Sequence, residues 1–275
     1  MKKLVIAIST ILAAGSAYAG NEAETTLYDS YGDTVRIKQS TSHINPNLGN
    51  YAEVDLSGTA NNKVKIDQDG NKNDAYVESS RSGSFLRSDN NDVKIVQDGD
   101  RNDSKVEFSH DSDYNKIRVN QLGDDNDANV KVSEHSDYNK IRVNQNNDNT
   151  AVVKVTGHNG SDGNTIHVTQ DLDNMAKVLL SNGSDGNDIF VDQYKENDAL
   201  VTLNHSEDNL VDIDQVSWGS DATVKMFHSN DNSVRIYQTI NDSATVTTNY
   251  AYGHRYLHKF CLFALSLWIF CLHFN

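Results

Sequence analysis

Nine glutamines recur along this chain at short, nearly constant intervals: Gln39, Gln68, Gln97, Gln121, Gln145, Gln170, Gln193, Gln215 and Gln238. A second set of amides keeps pace with them at Asn50, Asn73, Asn102, Asn126, Asn149, Asn174 and Asn197. A primary amide carries both donors and an acceptor, so a row of identical amides can hydrogen-bond to itself. That chemistry is recognition of like by like, with no covalent step. Other reactive side chains are present but do not converge. His110, His135, His158, His205 and His228 each stand four to six residues ahead of the next repeat's Asn, beside Asp111, Asp113, Asp137, Glu207 and Asp231. On one edge of a fold such a row could bind a metal or respond to acidification, while its simplest reading is solvated turn residues. Stretches such as "DGDRND" and "NGSDGND" offer clustered oxygens to calcium, but the Gly-Gly-x-Gly-x-Asp rhythm of calcium-binding repeats is missing. Gly, Asn and Asp are also what tight turns require. The histidines lack a paired nucleophile, and no G-x-S-x-G, H-E-x-x-H or phosphate loop occurs, so the chain reads as non-enzymatic, with no cofactor and no metal.

The elements that must position the amides are visible around them. "SDYNKIRVNQ" at Ser112 to Gln121 recurs unchanged at Ser136 to Gln145. The nine glutamines are spaced by 29, 29, 24, 24, 25, 23, 22 and 23 residues, so a basic unit near 23 residues carries insertions in its early copies. Six residues before each Gln stands an Asn (Asp33 in the first copy), and two β-branched residues lie between, as in Ile117 and Val119 or Ile141 and Val143. After each Gln comes a Gly, Asp and Asn arc, then a second alternating run that begins with the second amide and continues with Ala and Val, as in Asn73, Ala75 and Val77. Alternation with β-branched residues at the apolar slots is the strand period. Each unit therefore reads strand, arc, strand, arc, with the amides and apolar residues on one face.

A single such unit leaves its apolar stripe half exposed and is marginal in water. Stacking units about 4.8 Å apart closes a two-sheet sandwich in which each backbone pairs with the rung above or below. The expected fold is all-β: a β-solenoid of about nine stacked strand-arc-strand rungs. Inward amides at the rim of a dry core need partners, and the amide one rung away supplies them; a register slip would set an amide against Val.

Composition agrees with an exported, extended protein. Lys2 and Lys3 precede an apolar run, Leu4 to Ala14, and an Ala17-Tyr18-Ala19 cleavage signal, so residues 1–19 read as a signal peptide and the chain is expected to be secreted. A short leader, 20–32, then precedes the repeats at 33–248, and 249–275 forms a tail that abandons the pattern. The formal net charge is −15 and there is a single proline, Pro46. An acidic surface argues against nucleic acid as a partner. Both cysteines, Cys261 and Cys271, lie in the tail, so the body has no disulfide framework.

The pattern Asn-x-Val-x-Ile-x-Gln-x-Gly-x-x-Asn-x-Ala-x-Val in "NKVKIDQDGNKNDAYV" resembles the curlin repeat of curli fibre subunits. The resemblance covers about 33–248. It implies a β-solenoid that polymerises with copies of itself into extracellular, cell-surface amyloid-like fibres for adhesion and biofilm matrix. It also implies export through a curli-type outer-membrane pore and a nucleator subunit as partner. Here the last inward slot of each unit is apolar, Ser or Thr, as at Val132, Val155, Leu180, Leu203 and Met226, where the typical unit has a second Gln. Two other readings stay open: a membrane-held nucleator of such fibres, and a monomeric β-solenoid adhesin. The tail bears on the first. Phe260 to Phe274 is apolar but shorter than the roughly 20 residues of a spanning helix. It reads as a membrane contact, a cap on the last rung, or translation past a lost stop codon. Finally, the outward row Arg36, Lys65, Lys94, Arg118, Arg142, His167 and Arg235 is expected to be a solvated face that blunts lateral association of sheets.

Overall fold

The computed structural model describes residues 10–13, 20–41, 46–80, 88–157 and 160–259. The fold is all-β, and two parallel sheets form a β-solenoid of about eight turns. Nine rungs, separated by eight steps, each contribute a first strand to one sheet and a return strand to the other. The rungs are Thr34–Ser40 with Tyr51–Ser57, Lys63–Asp69 with Asp74–Ser80, Asp92–Asp98 with Asp103–Ser109, Lys116–Leu122 with Asp127–Ser133, and Lys140–Asn147 with Thr150–Thr156. They continue with Thr165–Leu172 and Met175–Ser181, Asp188–Lys195 and Asp198–Asn204, Leu210–Trp218 and Asp221–Phe227, and Ser233–Gln238 and Ser243–Asn249.

Every first strand pairs in parallel with the first strands before and after it, and every return strand does likewise, so strands consecutive in the chain lie in different sheets. Register follows the repeat: Ile117 lies beside Ile141, Val119 beside Val143, and Ala128 beside Ala151. Alternation along each strand sends Val, Ile and Ala inward, where one continuous core runs from Val35 to Ala244. Each rung orders about two dozen residues to bury only a few small side chains. Ordering the backbone costs roughly 1 to 2 kcal/mol per residue, so a rung is stable only between neighbours.

The sheets also run past the repeat region. Glu22–Tyr28, in the segment read as a leader, pairs with Tyr51–Ser57 and adds a strand to the return sheet. Arg255–Lys259, in the segment read as a tail, pairs with Ser233–Gln238 and adds one to the first sheet. Thr10–Ala13, within the segment read as a signal peptide, lies beside Thr34–Ser40. The apolar run Phe260 to Phe274 and the proposed cleavage site lie outside the described residues. Among the described residues no helix is long and apolar enough to cross a membrane.

Both arcs close the same way. From Asn62 on, the residue just before the inward Asn adopts positive φ, as at Asn61, Asn90, Tyr114, Tyr138 and Asp208 in one arc and at Lys72, Arg101, Asp125, Asp148 and Glu196 in the other. That left-handed step turns the chain into the next strand, and it is strained for a bulky side chain. At Gly70 and Gly99 the arcs of adjacent rungs meet backbone to backbone. A Cβ on Gly70 would sit 1.9 Å from the Gly99 carbonyl oxygen, so only glycine fits.

Candidate functional site

The most ordered chemistry lies along the inner rim of the solenoid. Gln39, Gln68, Gln97, Gln121, Gln145, Gln170, Gln193, Gln215 and Gln238 form one vertical column, each directly beside the next in register. All nine are buried. Each Nε2 donates to the Oε1 of the following Gln at 2.8 to 3.1 Å, from Gln39 to Gln238 without a break. The same nitrogen also meets backbone carbonyls at the start of the return strand: Gln121 reaches Asp103 at 2.7 Å and Asn126 at 3.0 Å. The column thus ties the two sheets together as well as the rungs.

Asn50, Asn73, Asn102, Asn126, Asn149, Asn174 and Asn197 form a second column and bond differently. Their Oδ1 accepts the backbone N–H of the equivalent residue one rung on, as from Asn73 to Asn50 and from Asn197 to Asn174, both at 3.0 Å. Their Nδ2 donates to carbonyls of the neighbouring arc, such as Gly123 from Asn102 at 2.8 Å. Ser220 continues the row by donating its N–H to Asn197 Oδ1 at 2.9 Å. The column begins earlier than the repeat count indicated, because Asn21 Oδ1 accepts the N–H of Asn50 at 2.9 Å. The signal for it was present: Asn21-Glu22-Ala23 repeats the Asn-x-Ala opening of six of the nine return strands.

Three further columns escaped selection as candidate sites. The asparagines six residues before each Gln use the same device as the second column, from Asn62, which donates its N–H to Asp33 at 2.7 Å, to Asn232 on Asn209 at 3.0 Å. Beside them runs a column of carboxylates, Asp89, Asp113, Asp137, Asp162 and Asp185, in which each Oδ1 accepts the backbone N–H of the rung before, at 2.6 to 2.8 Å. Burial first, then nearby carboxylates (Asp111 for Asp137, Asp137 and Asp185 for Asp162, Asp137 and Asp111 for Asp113), raises the Asp137 and Asp162 carboxyls and pushes Asp113 up to about 6. Third, Ser88, Ser112, Ser136, Ser161, Ser184, Ser206 and Ser229 are wholly buried in the same arc. Several of their hydroxyls accept the next rung's N–H, as from Ser112 to Ser88 at 3.2 Å. "Ser-Asp-x-Asn" was legible in five arcs, but composition alone made it resemble ordinary turn chemistry.

The histidines do not make one row. The His135 N–H bonds the His110 carbonyl at 2.9 Å, whereas the rings of His205 and His228 stack at 5.0 Å, and Tyr250 stacks on His228 at 5.2 Å. His158 lies outside the described residues. Among the described residues no group of three or more His, Cys, Asp or Glu is placed to hold a metal ion. The outward row from Arg36 to Arg235 does form one vertical column, with Phe190 and Asp212 in it.

The ends differ from the middle. Glu22–Tyr28 and Ser243–Asn249 each pair on one side only among the described residues, and their inward Ala23, Leu27 and Val246 stay partly exposed where the core runs out. An open strand edge beside an incomplete core is a template for another chain.

No curated protein matches the chain. Residues 89–131, which span the third and fourth rungs, match the family described as the curlin associated repeat. The matched pair of rungs has the same register and the same inward Gln and Asn as the rungs on either side of it, so the likeness to the curlin associated repeat found at 89–131 supports a curlin-repeat family for the chain.

Proposed function

We propose that this chain is a secreted structural subunit that assembles with copies of itself into curli-like extracellular fibres, serving adhesion and biofilm matrix. One observation carries the reading: the inward Gln column stacks in register through all nine rungs, and the return sheet ends at Glu22–Tyr28 and Ser243–Asn249, which among the described residues have no partner on their outer side. The Gln and Asn columns act here as register templates. Gln238 Nε2 donates to the Asp221 and Asp242 carbonyls, and Arg255–Lys259 lies over its strand, so on the first sheet an incoming copy meets that added strand, while on the return sheet it meets Ser243–Asn249 directly. The curlin repeat belongs to a structural, fibre-forming class, which supports a non-enzymatic role. By family likeness the partners are a curli-type secretion pore and a nucleator subunit. Membrane contact through 260–275 belongs to the same proposal.

The test is assembly itself. Residues 20–275 diluted out of denaturant are expected to form thioflavin-binding fibres after a lag that seeds abolish. Gln145→Leu leaves Gln121 Nε2 without its side-chain acceptor and is expected to cost about 1 to 3 kcal/mol and slow growth. A stable monomer at every concentration tried, unchanged by seeds, refutes the subunit reading in favour of an adhesin.

A further inference from the structure

The solenoid has two broad outer faces, and they carry opposite charge over the same rungs. In rungs one to four the first three outward slots of each first-sheet strand hold together seven Lys or Arg and two Asp, and the fourth, at the strand end, adds Asp69 and Asp98. The corresponding slots of the return sheet hold seven Asp or Glu and two Lys. Rungs six to nine lack this division: their first-sheet face holds four Asp and one Arg, and their return-sheet face two Asp and two Lys.

Neutralisation within each face is incomplete. On the first sheet Asp67 pairs with Lys38 and Lys65 at 3.3 and 3.7 Å, and Asp92 pairs with Arg118. Among the described residues Arg36, Lys63, Lys94 and Lys116 have no carboxylate partner. On the return sheet Glu78 and Glu107 share Lys105, and Lys131 reaches Glu107 at 2.6 Å. Asp74, Asp103 and Asp127 stack directly over one another and form no ion pair among the described residues, and Asp55 Oδ1 is out of solvent with no hydrogen-bond donor there. Burial first, and for Asp55 and Asp103 their acidic neighbours next, raise these carboxyls above the usual range.

Both faces repeat at one strand spacing, about 4.8 Å per rung. A column of cations on one copy therefore matches a column of carboxylates on another rung for rung. We propose that copies of this chain associate side by side and in parallel, the basic first-sheet face of rungs one to four lying on the acidic return-sheet face of the same rungs of the next copy. Because the two faces are on opposite sides of the molecule, the contact is heterologous and continues copy after copy. It requires no end-to-end growth, so it goes beyond the fibre reading. It also reverses the expectation that the basic row keeps sheets apart: that expectation took the row alone, without the acidic face behind it.

The experiment compares the width of assemblies of residues 20–275 by electron microscopy, in low salt and in about 1 M salt, where the Debye length is about 3 Å. Bundles in low salt are expected to fall to single filaments, roughly a fivefold loss of cross-section. One variant, Arg36→Glu with Lys65→Glu and Lys94→Glu, has two acidic faces. Another, Asp74→Lys with Asp103→Lys and Asp127→Lys, has two basic ones. Each alone is expected to stay dispersed, and an equimolar mixture to bundle again. Bundles that survive high salt overturn the proposal, as does a mixture that stays dispersed. It fails too if wild-type filaments remain single in low salt and thicken only with an added anionic polymer, since the basic face then serves another class of partner. The salt series on the wild type needs no substitution. If no fibres form, the same series read by sedimentation of soluble chains tests the faces, while the absence of fibres counts against the subunit reading alone.

Discussion

Ile141 and Arg142 are neighbours in one strand, yet the columns they belong to obey different rules. Inward, Ile141 stands between Ile117 and Ile166 in a column that holds only Val or Ile from Val35 to Val234. Outward, Arg142 stands between Arg118 and His167 in a column that also admits Phe190 and Asp212. The inside is shared by two sheets and closed to water, so each residue must match the rungs above and below in shape and in polarity. The outside answers to solvent, where ion pairs are worth little and substitution is cheap. Repetition inside thus holds the solenoid together, and variation outside leaves room for the charge pattern of the two faces.

The comparison is broken hardest by paired truncations. Ile141→Ala is expected to cost about 2 to 5 kcal/mol in a urea melt, because the cavity is held open by neighbours on both sides, whereas Arg142→Ala should cost under about 0.5 kcal/mol. Equal costs would show that inside and outside do not differ as argued. Ser104 sharpens the rule from the other direction. It occupies the slot held by Ala75 and Ala128 in adjacent rungs, and its buried hydroxyl has no hydrogen-bond partner. Ser104→Ala is expected to stabilise the chain by about 1 kcal/mol, read as a higher melting temperature.

The carboxylate column lies between these regimes, half-buried and stacked. A carboxyl whose folded pKa lies above its unfolded value contributes stability at low pH that is lost as pH rises through the folded value. For Asp113, pushed up to about 6, the chain is therefore expected to be more stable at pH 5 than at pH 7. Allowing for solvent screening, the difference is about 1 kcal/mol. Asp111, Asp89 and Asp137 are the charged groups that repel it. Asp113→Asn keeps an oxygen for the Asp89 N–H and should flatten that part of the pH dependence, measured by urea midpoints at the two pH values. An unchanged slope would show that the column does not titrate in this range.

Much of this was legible because a parallel stack turns sequence period into geometry. Once Gln121, Gln145 and Gln170 fall at equivalent positions, in-register pairing makes them vertical neighbours, and the same holds for the Asn column. The strands Glu22–Tyr28 and Arg255–Lys259 were harder to see. Asn21 and Ala23 preserve two inward slots but Thr25 replaces Val, and His254, Tyr256 and His258 stand where Asn, Val and Ile would be. Both strands pair by backbone, which no residue type reports. The histidines were misleading for another reason: the rung before His205 carries Asn182 at the equivalent place, so His205 and His228 stack with each other and not with His110 and His135.

By itself, the sequence determined the strand period, the number of rungs and which residues face inward, since alternation and repetition are properties of the chain that any parallel stack must respect. Tertiary structure alone decided how the amides divide their bonds between side chain and backbone, and how Ser and Asp in the arcs become ladders. It also decided that a basic and an acidic face lie back to back. Those outcomes depend on which atoms of different rungs come within about 3 Å, and on which side of the sandwich each strand lies; neither distance nor side is written in the order of residues.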